Sequence, residues 1–277
     1  MRAGRFDLLL GVAATVALTF LALPLVALFT QVPLTDVPGL LRDPVVRDAL
    51  WVTLRTNLIA GALILAFGTP TAFLLARRRF RGRALLVTLV ELPLVLPPAV
   101  AGIALLSAVG RGGLLGDALA GGGVVLPFTE WAVVLAVTFV AAPFYVRQAI
   151  AAFEAVDPQL PAAARTLGAS PARTFWRIDL PLAAGGLAAG AVLAFARGVG
   201  EFGATIVFAG SVRGETQTLP LAIYDQLEAN FDAALAIGIL LVVLSGAVLL
   251  SVKILASWRS STSTSASPFA TTRSASA

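Results

Sequence analysis

The stretch AAARTLGASPARTFWRIDLP, residues 162–181, separates two long apolar runs and carries the punctuation of two short helices. Asp157-Pro158 just ahead of it supplies an N-cap followed by proline at the first helical position, where a missing N–H costs nothing. Gly168 then closes that helix as a C′ glycine. Ser170-Pro171 repeats the opening signal, and a second short helix is expected to about Ile178, ended by Leu180-Pro181. Both flanking runs are apolar enough to enter a bilayer. The two helices are therefore expected outside it, between two spans.

Composition supports that reading. Of 277 residues, 58% are hydrophobic, and the mean hydropathy is +0.91, which a soluble globular domain does not reach. The chain has no cysteine and no histidine, so disulfides, thiolate or imidazole metal sites and Ser-His triads are excluded. A P-loop needs a lysine after a glycine-rich turn. The single lysine, Lys253 in SVKIL, has no such context, so nucleotide hydrolysis would have to reside on another polypeptide. No catalytic or metal-ligating residues are expected.

The rest of the chain divides into an all-α integral membrane protein with six transmembrane helices, at about 8–29, 49–76, 84–109, 130–153, 182–209 and 233–256. The proline-bearing segment 31–48 and the glycine-rich segment 110–123 connect spans, as does 214–231, which looks helical after Pro220. Residues 1–48 thus form a first helix and its connection, 49–256 the main transmembrane domain, and 257–277 a Ser/Thr/Ala-rich tail expected to be disordered.

Charge sets the orientation. RRRFRGR at 77–83 is the strongest positive-inside signal; as a patch it could be read as an anionic-lipid or nucleic-acid site, and it is read here as a solvated topology anchor beside lipid head groups. With both termini in the cytoplasm, only Arg42, Arg47, Arg111 and Arg213 fall in outer loops, and Arg55 and Arg197 within spans. The 162–181 stretch then also faces the cytoplasm.

Within the spans, LPLVLPP places Pro93, Pro97 and Pro98 where an unbroken helix cannot hold them, so a kink or unwound segment is expected. Gly186, Gly190, Gly198, Gly200 and Gly203 give the fifth span a thin side suited to close helix packing. Arg197 and Glu201, four apart on an expected continuous helix, share a face, and mutual pairing is the simplest way to hold both at depth. Glu91 is a second candidate partner for Arg197.

The 162–181 stretch resembles the cytoplasmic loop of bacterial ABC importer permeases, whose pattern is E-A-A, three residues, G, nine residues, I, one residue, L-P. Ala163, Ala164, Gly168, Ile178, Leu180 and Pro181 fall in register, while Ala162 stands where the family has glutamate. GEFGATIVFAG, TQTLPLAIY and LPLVLPPAVAGIALL further resemble the molybdate and tungstate permeases of the oxyanion branch, with sulfate permeases sharing much of them. The likeness extends over roughly 49–256. It implies a homodimer of this chain, two copies of a separate ATPase holding ATP and magnesium, and an extracytoplasmic oxyanion-binding protein. It implies that the six matched loop residues couple the ATPase to transport. Glu91, Pro97, Pro98, Arg197, Glu201, Gly203 and Thr205 are the candidates for the translocation pathway or its gate. A sulfate or thiosulfate permease is the alternative. A secondary transporter is a further one, but it calls for more titratable groups at depth than Glu91 and Glu201.

Overall fold

The computed structural model describes residues 4–31, 39 and 42–263, and among them every regular element is a helix. In chain order these are α1 (Arg5–Gln31), α2 (Pro44–Arg77), α3 (Arg83–Val95), α4 (Pro98–Val109), α5 (Gly116–Gly121), α6 (Glu130–Glu154), α7 (Gln159–Thr166) and α8 (Pro171–Thr174). A π turn (Phe175–Asp179) follows, then α9 (Leu180–Val199), α10 (Gly203–Phe208), α11 (Leu219–Ala229) and α12 (Phe231–Ser263). Among the described residues five helices are long and apolar enough to cross a membrane, or six if α3 and α4 form one broken span. The expected number of spans stands on that second count.

Several boundaries differ from expectation, each for a local reason. The second span starts at Pro44 rather than at residue 49, because Asp43-Pro44 is another cap signal: Asp43 Oδ1 accepts the Val45 N–H at 2.7 Å. In the third span, where a kink or an unwound segment was expected, the helix is unwound at 96–97. Pro97 is extended (φ −54°, ψ 134°), as a residue before proline prefers, and Pro98 restarts the helix. The fifth span was expected to run to 209 without interruption, but α9 stops at Val199 and the chain unwinds over 200–202 before α10. The glycine-rich connection contains a short helix, α5. The last helix continues to Ser263, past the expected start of a disordered tail; residues 264–277 lie outside the described residues, as do 1–3, 32–38 and 40–41.

By internal contacts the chain divides into two units. The first comprises Met1–Ala60, Leu96–Val140 and Gly198–Leu244. Its packing includes a cluster of Val46, Ala49, Leu219, Ala222 and Ile237, joined by Leu50, Ile223, Leu240, Leu241 and Leu244. There α11 is held on α2 by a cap from outside its own sequence: Thr53 Oγ1 accepts the Leu219 N–H at 2.8 Å in a fully buried position. Helices α4 and α10 pack backbone to backbone, since a Cβ on Gly102 would lie 2.7 Å from Val207 Cβ and one on Gly203 would lie 2.5 Å from Pro98 Cβ.

The second unit comprises Gly61–Val95, Ala141–Arg197 and Ser245–Ala277. Its core gathers Ile64, Ala72, Ala141, Tyr145, Ala149, Phe153, Ala183 and Leu187. The thin side of α9 packs on α6, as the glycine spacing implies: a Cβ at Gly186 would come within 2.5 Å of Ala152 Cβ, and one at Gly190 within 3.0 Å of Gln148 Cβ. The Thr69 and Tyr145 hydroxyls meet at 2.6 Å, so the buried phenol has its partner.

Candidate functional site

The helix–turn–helix element of the second unit is built as its residues dictate, with one exception. Asp157 Oδ1 accepts the Gln159 N–H at 2.9 Å and opens α7. At the other end Gly168 sits at φ +84°, the Gly168 N–H donates to the Arg165 carbonyl and the Ala169 N–H to the Ala164 carbonyl, both at 3.0 Å. Those two bonds make a Schellman turn with glycine at its left-handed position. Ser170 then caps α8, its hydroxyl accepting the Arg173 N–H at 3.3 Å, with Pro171 at the first helical position.

The exception is the end of the second helix. Leu180-Pro181 does not stop it; the chain passes through the π turn directly into α9. The Leu180 N–H reaches back five residues to the Phe175 carbonyl. The widened turn admits a proline at 181, where an ordinary α turn would meet a ring clash and a lost bond. Ile178 thus lies in the π turn, half-buried, and Leu180 and Pro181 open the span instead of terminating a loop.

Two contacts lock this element to its unit. Arg77, last residue of α2, donates through Nη2 to Asp179 Oδ1 at 2.6 Å and through Nη1 to the Val156 carbonyl at 3.3 Å. Asp179 is only 2% exposed, so the pair is shielded from water. Phe175 stacks edge-on to Phe73 (centroids 4.7 Å apart), which in turn meets Phe153 at 5.2 Å. The opposite side is open: Leu167 is 88% exposed, and Leu160, Trp176 and Ala163 are exposed as well. The turn thus presents exposed apolar side chains on a firmly held base.

The pathway candidates are divided between the two units. In the first unit, Pro98 abuts Gly203, and Glu201, 2% exposed, lies in the break after α9. Its Oε1 accepts the Ala204 N–H at 2.7 Å and so caps α10, while the fully buried Thr205 donates to the Phe202 carbonyl at 2.8 Å. Glu201 is thus off the helix that carries Arg197, and the shared face expected from their spacing is not formed by a continuous helix. Arg197 occupies the last turn of α9. In the second unit Glu91 lies 3.7 Å from Arg147 Nε, a partner not foreseen from the sequence. Among the described residues no cluster of acidic side chains could hold a metal ion.

Sequence reasoning also missed Arg77, Asp179 and the phenylalanine triad. Arg77 was hidden in a run of arginines that topology already explained. Asp179 was the one legible signal, a lone acid at the threshold of a span.

A set of long apolar helices, one pair separated by a proline break and another interrupted by an exposed helix–turn–helix element, defines a multi-pass membrane protein. The chain belongs to the family of binding-protein-dependent transport system inner membrane components, which matches residues 65–260, and it is a multi-pass inner-membrane permease. It is 44% identical to the molybdenum transport system permease protein ModB of Mycobacterium bovis over 86% of this chain and 90% of that one. It is 36% identical to the sulfate transport system permease protein CysW of a Synechocystis species, over 85% and 88% respectively. Among solved structures it resembles a chain of a bacterial alginate ABC transporter, at 21% identity and a TM-score of 0.71, over 91% of this chain and 93% of that one; this likeness concerns the fold.

Proposed function

We propose that this chain is the permease subunit of an ATP-driven importer for molybdate, working as a homodimer with two copies of a separate ATPase and an extracytoplasmic receptor that delivers the anion. The observation that carries the coupling mechanism is the mounting of residues 159–181: a Schellman turn with an exposed leucine, tied through Asp179 to the end of one span and continuous with the start of another. In this reading both termini and the loop face the cytoplasm, where the arginine run also lies. ATP and magnesium bind to the partner chain, and closure of the ATPase dimer pushes on α7 and α8. Because α8 runs without a stop into α9, that push is delivered to the span itself. The break at 200–202 and the proline break before α4 are where the spans would change course between inward and outward openings.

Molybdate is preferred over sulfate because the molybdenum permease is the nearer of the two relatives compared, at 44% against 36% identity. Uptake of labelled molybdate into vesicles holding this chain with its ATPase and receptor tests the proposal. ATP-dependent uptake blocked by tungstate but not by sulfate supports it. Block by sulfate at comparable concentration moves the assignment to sulfate, and uptake that follows an ion gradient and ignores ATP overturns it.

A further inference from the structure

The arginines of the 77–83 run are not equivalent. Arg77 is committed to Asp179 and Val156, and Arg83 donates to the Leu75 carbonyl and to Glu154 Oε1, both at 2.7 Å. Arg79 has no hydrogen bond or ion pair from its side chain among the described residues, and neither has Arg165 on α7. Yet these two residues, far apart in sequence, line the same cleft of ≈ 1010 Å³, together with Arg77, Arg83, Glu154 and the exposed Phe80. Asp179 balances Arg77 and Glu154 balances Arg83, so the cleft keeps the charge of Arg79 and Arg165 uncompensated.

Its position narrows the ligand. Arg77 ends α2, Arg83 opens α3 and Glu154 ends α6, so the cleft lies where three helices of the membrane region terminate. Span ends lie at the level of lipid head groups, and basic pockets between them on the cytoplasmic side attract anionic lipids. Guanidinium groups suit phosphate oxygens, which they can bind through two parallel hydrogen bonds.

We propose that this cleft binds the phosphodiester head group of an anionic phospholipid, with Arg79 and Arg165 as its principal contacts. Since Arg165 belongs to α7 and Arg79 to the connection between α2 and α3, a bound head group joins the helix–turn–helix element to the bilayer surface and restrains its movement. This goes beyond the transport reading and holds whichever anion is carried.

The test uses the assembled transporter in nanodiscs of phosphatidylcholine with and without phosphatidylglycerol, and native mass spectrometry of the lipid retained after release. Wild type is expected to retain phosphatidylglycerol preferentially. Retention should fall about fivefold for each arginine removed in Arg79→Gln and Arg165→Gln, as a basic residue at an anionic surface contributes, and Arg79→Lys should restore most of it. Equal retention by wild type and the doubly substituted chain overturns the proposal. Displacement of the lipid by inorganic phosphate also overturns it, by making the site one for a free anion. If Arg79→Gln sheds the ATPase in phosphatidylcholine alone, with lipid retention unchanged, the cleft belongs to a protein carboxylate and the proposal fails. None of these readouts depends on molybdate uptake, so they separate from failure of the transport reading.

Discussion

Arg77 and Asp179 stand 2.6 Å apart, joining the last residue of α2 to the last residue of the π turn that leads into α9. The bond ties the segment that carries the exposed turn at Gly168 to the end of α2, and in the proposed mechanism it lets a push on that turn reach a span. Removing one partner of such a shielded pair leaves a charge without compensation, at a cost of about 3–5 kcal/mol. Asp179→Ala or Arg77→Ala should therefore lower the thermal stability of the purified chain and abolish coupled uptake. Changing both to apolar residues should recover much of the stability but not the coupling. Additive losses of stability in that cycle would show that the two side chains act independently.

Gly168 tests the turn with little interference from packing. Nothing lies within 4 Å of a Cβ placed there, and its φ of +84° is the whole constraint. A β-branched residue in that conformation costs roughly 1–2 kcal/mol, and asparagine less. Gly168→Val is expected to leave ATP hydrolysis running while uptake drops severalfold, with Gly168→Asn close to wild type. Normal coupled uptake by Gly168→Val, measured as molybdate moved per ATP hydrolysed, would remove the turn from the coupling path.

The approach of α9 to α6 at Gly186 makes a prediction about packing. A Cβ added there meets Ala152 Cβ at 2.5 Å, so Gly186→Ala should destabilise the chain by roughly 1–3 kcal/mol through overpacking. Ala152→Gly should relieve it when the two are combined, less the ~1 kcal/mol that glycine costs inside a helix. Melting temperatures in detergent for the two single variants and the pair give the answer.

Thr53 offers a fourth kind of test, because it serves a helix more than 150 positions away in sequence (|i−j| = 166). Thr53→Val keeps the shape but leaves the Leu219 N–H buried without a partner, a loss of about 1–3 kcal/mol. Thr53→Ser should retain most of the stability. Protease susceptibility of the connection before α11 is the local readout, and equal cleavage of the two variants would count against the cap.

The helix starts were legible wherever the chemistry is local. Asp157-Pro158, Ser170-Pro171 and the glycine at 168 work through bonds to residues two to five positions away, so their roles in the turn could be read directly. The same logic applied to Asp43-Pro44 but was obscured by a proline-rich connection. Leu180-Pro181 misled for an instructive reason: a proline terminates an α turn, but a π turn before it removes the conflict, and what stabilises that turn is the packing of Phe175 and the burial of Asp179.

By itself, then, the sequence determined the all-α membrane class, the number of spans and the paired short helices with their glycine turn, because hydropathy and backbone capping act within a few residues. Only the tertiary structure decided which charges meet. Arg77 with Asp179, Arg147 with Glu91 and Thr53 with the start of α11 are partners separated by many residues, chosen by how helices pack. It also decided that Glu201 caps a new helix after a break instead of continuing the old one. Helical spacing can say which residues would share a face on an unbroken helix; where the helix breaks, that reasoning stops, and the contacts of neighbouring segments take over.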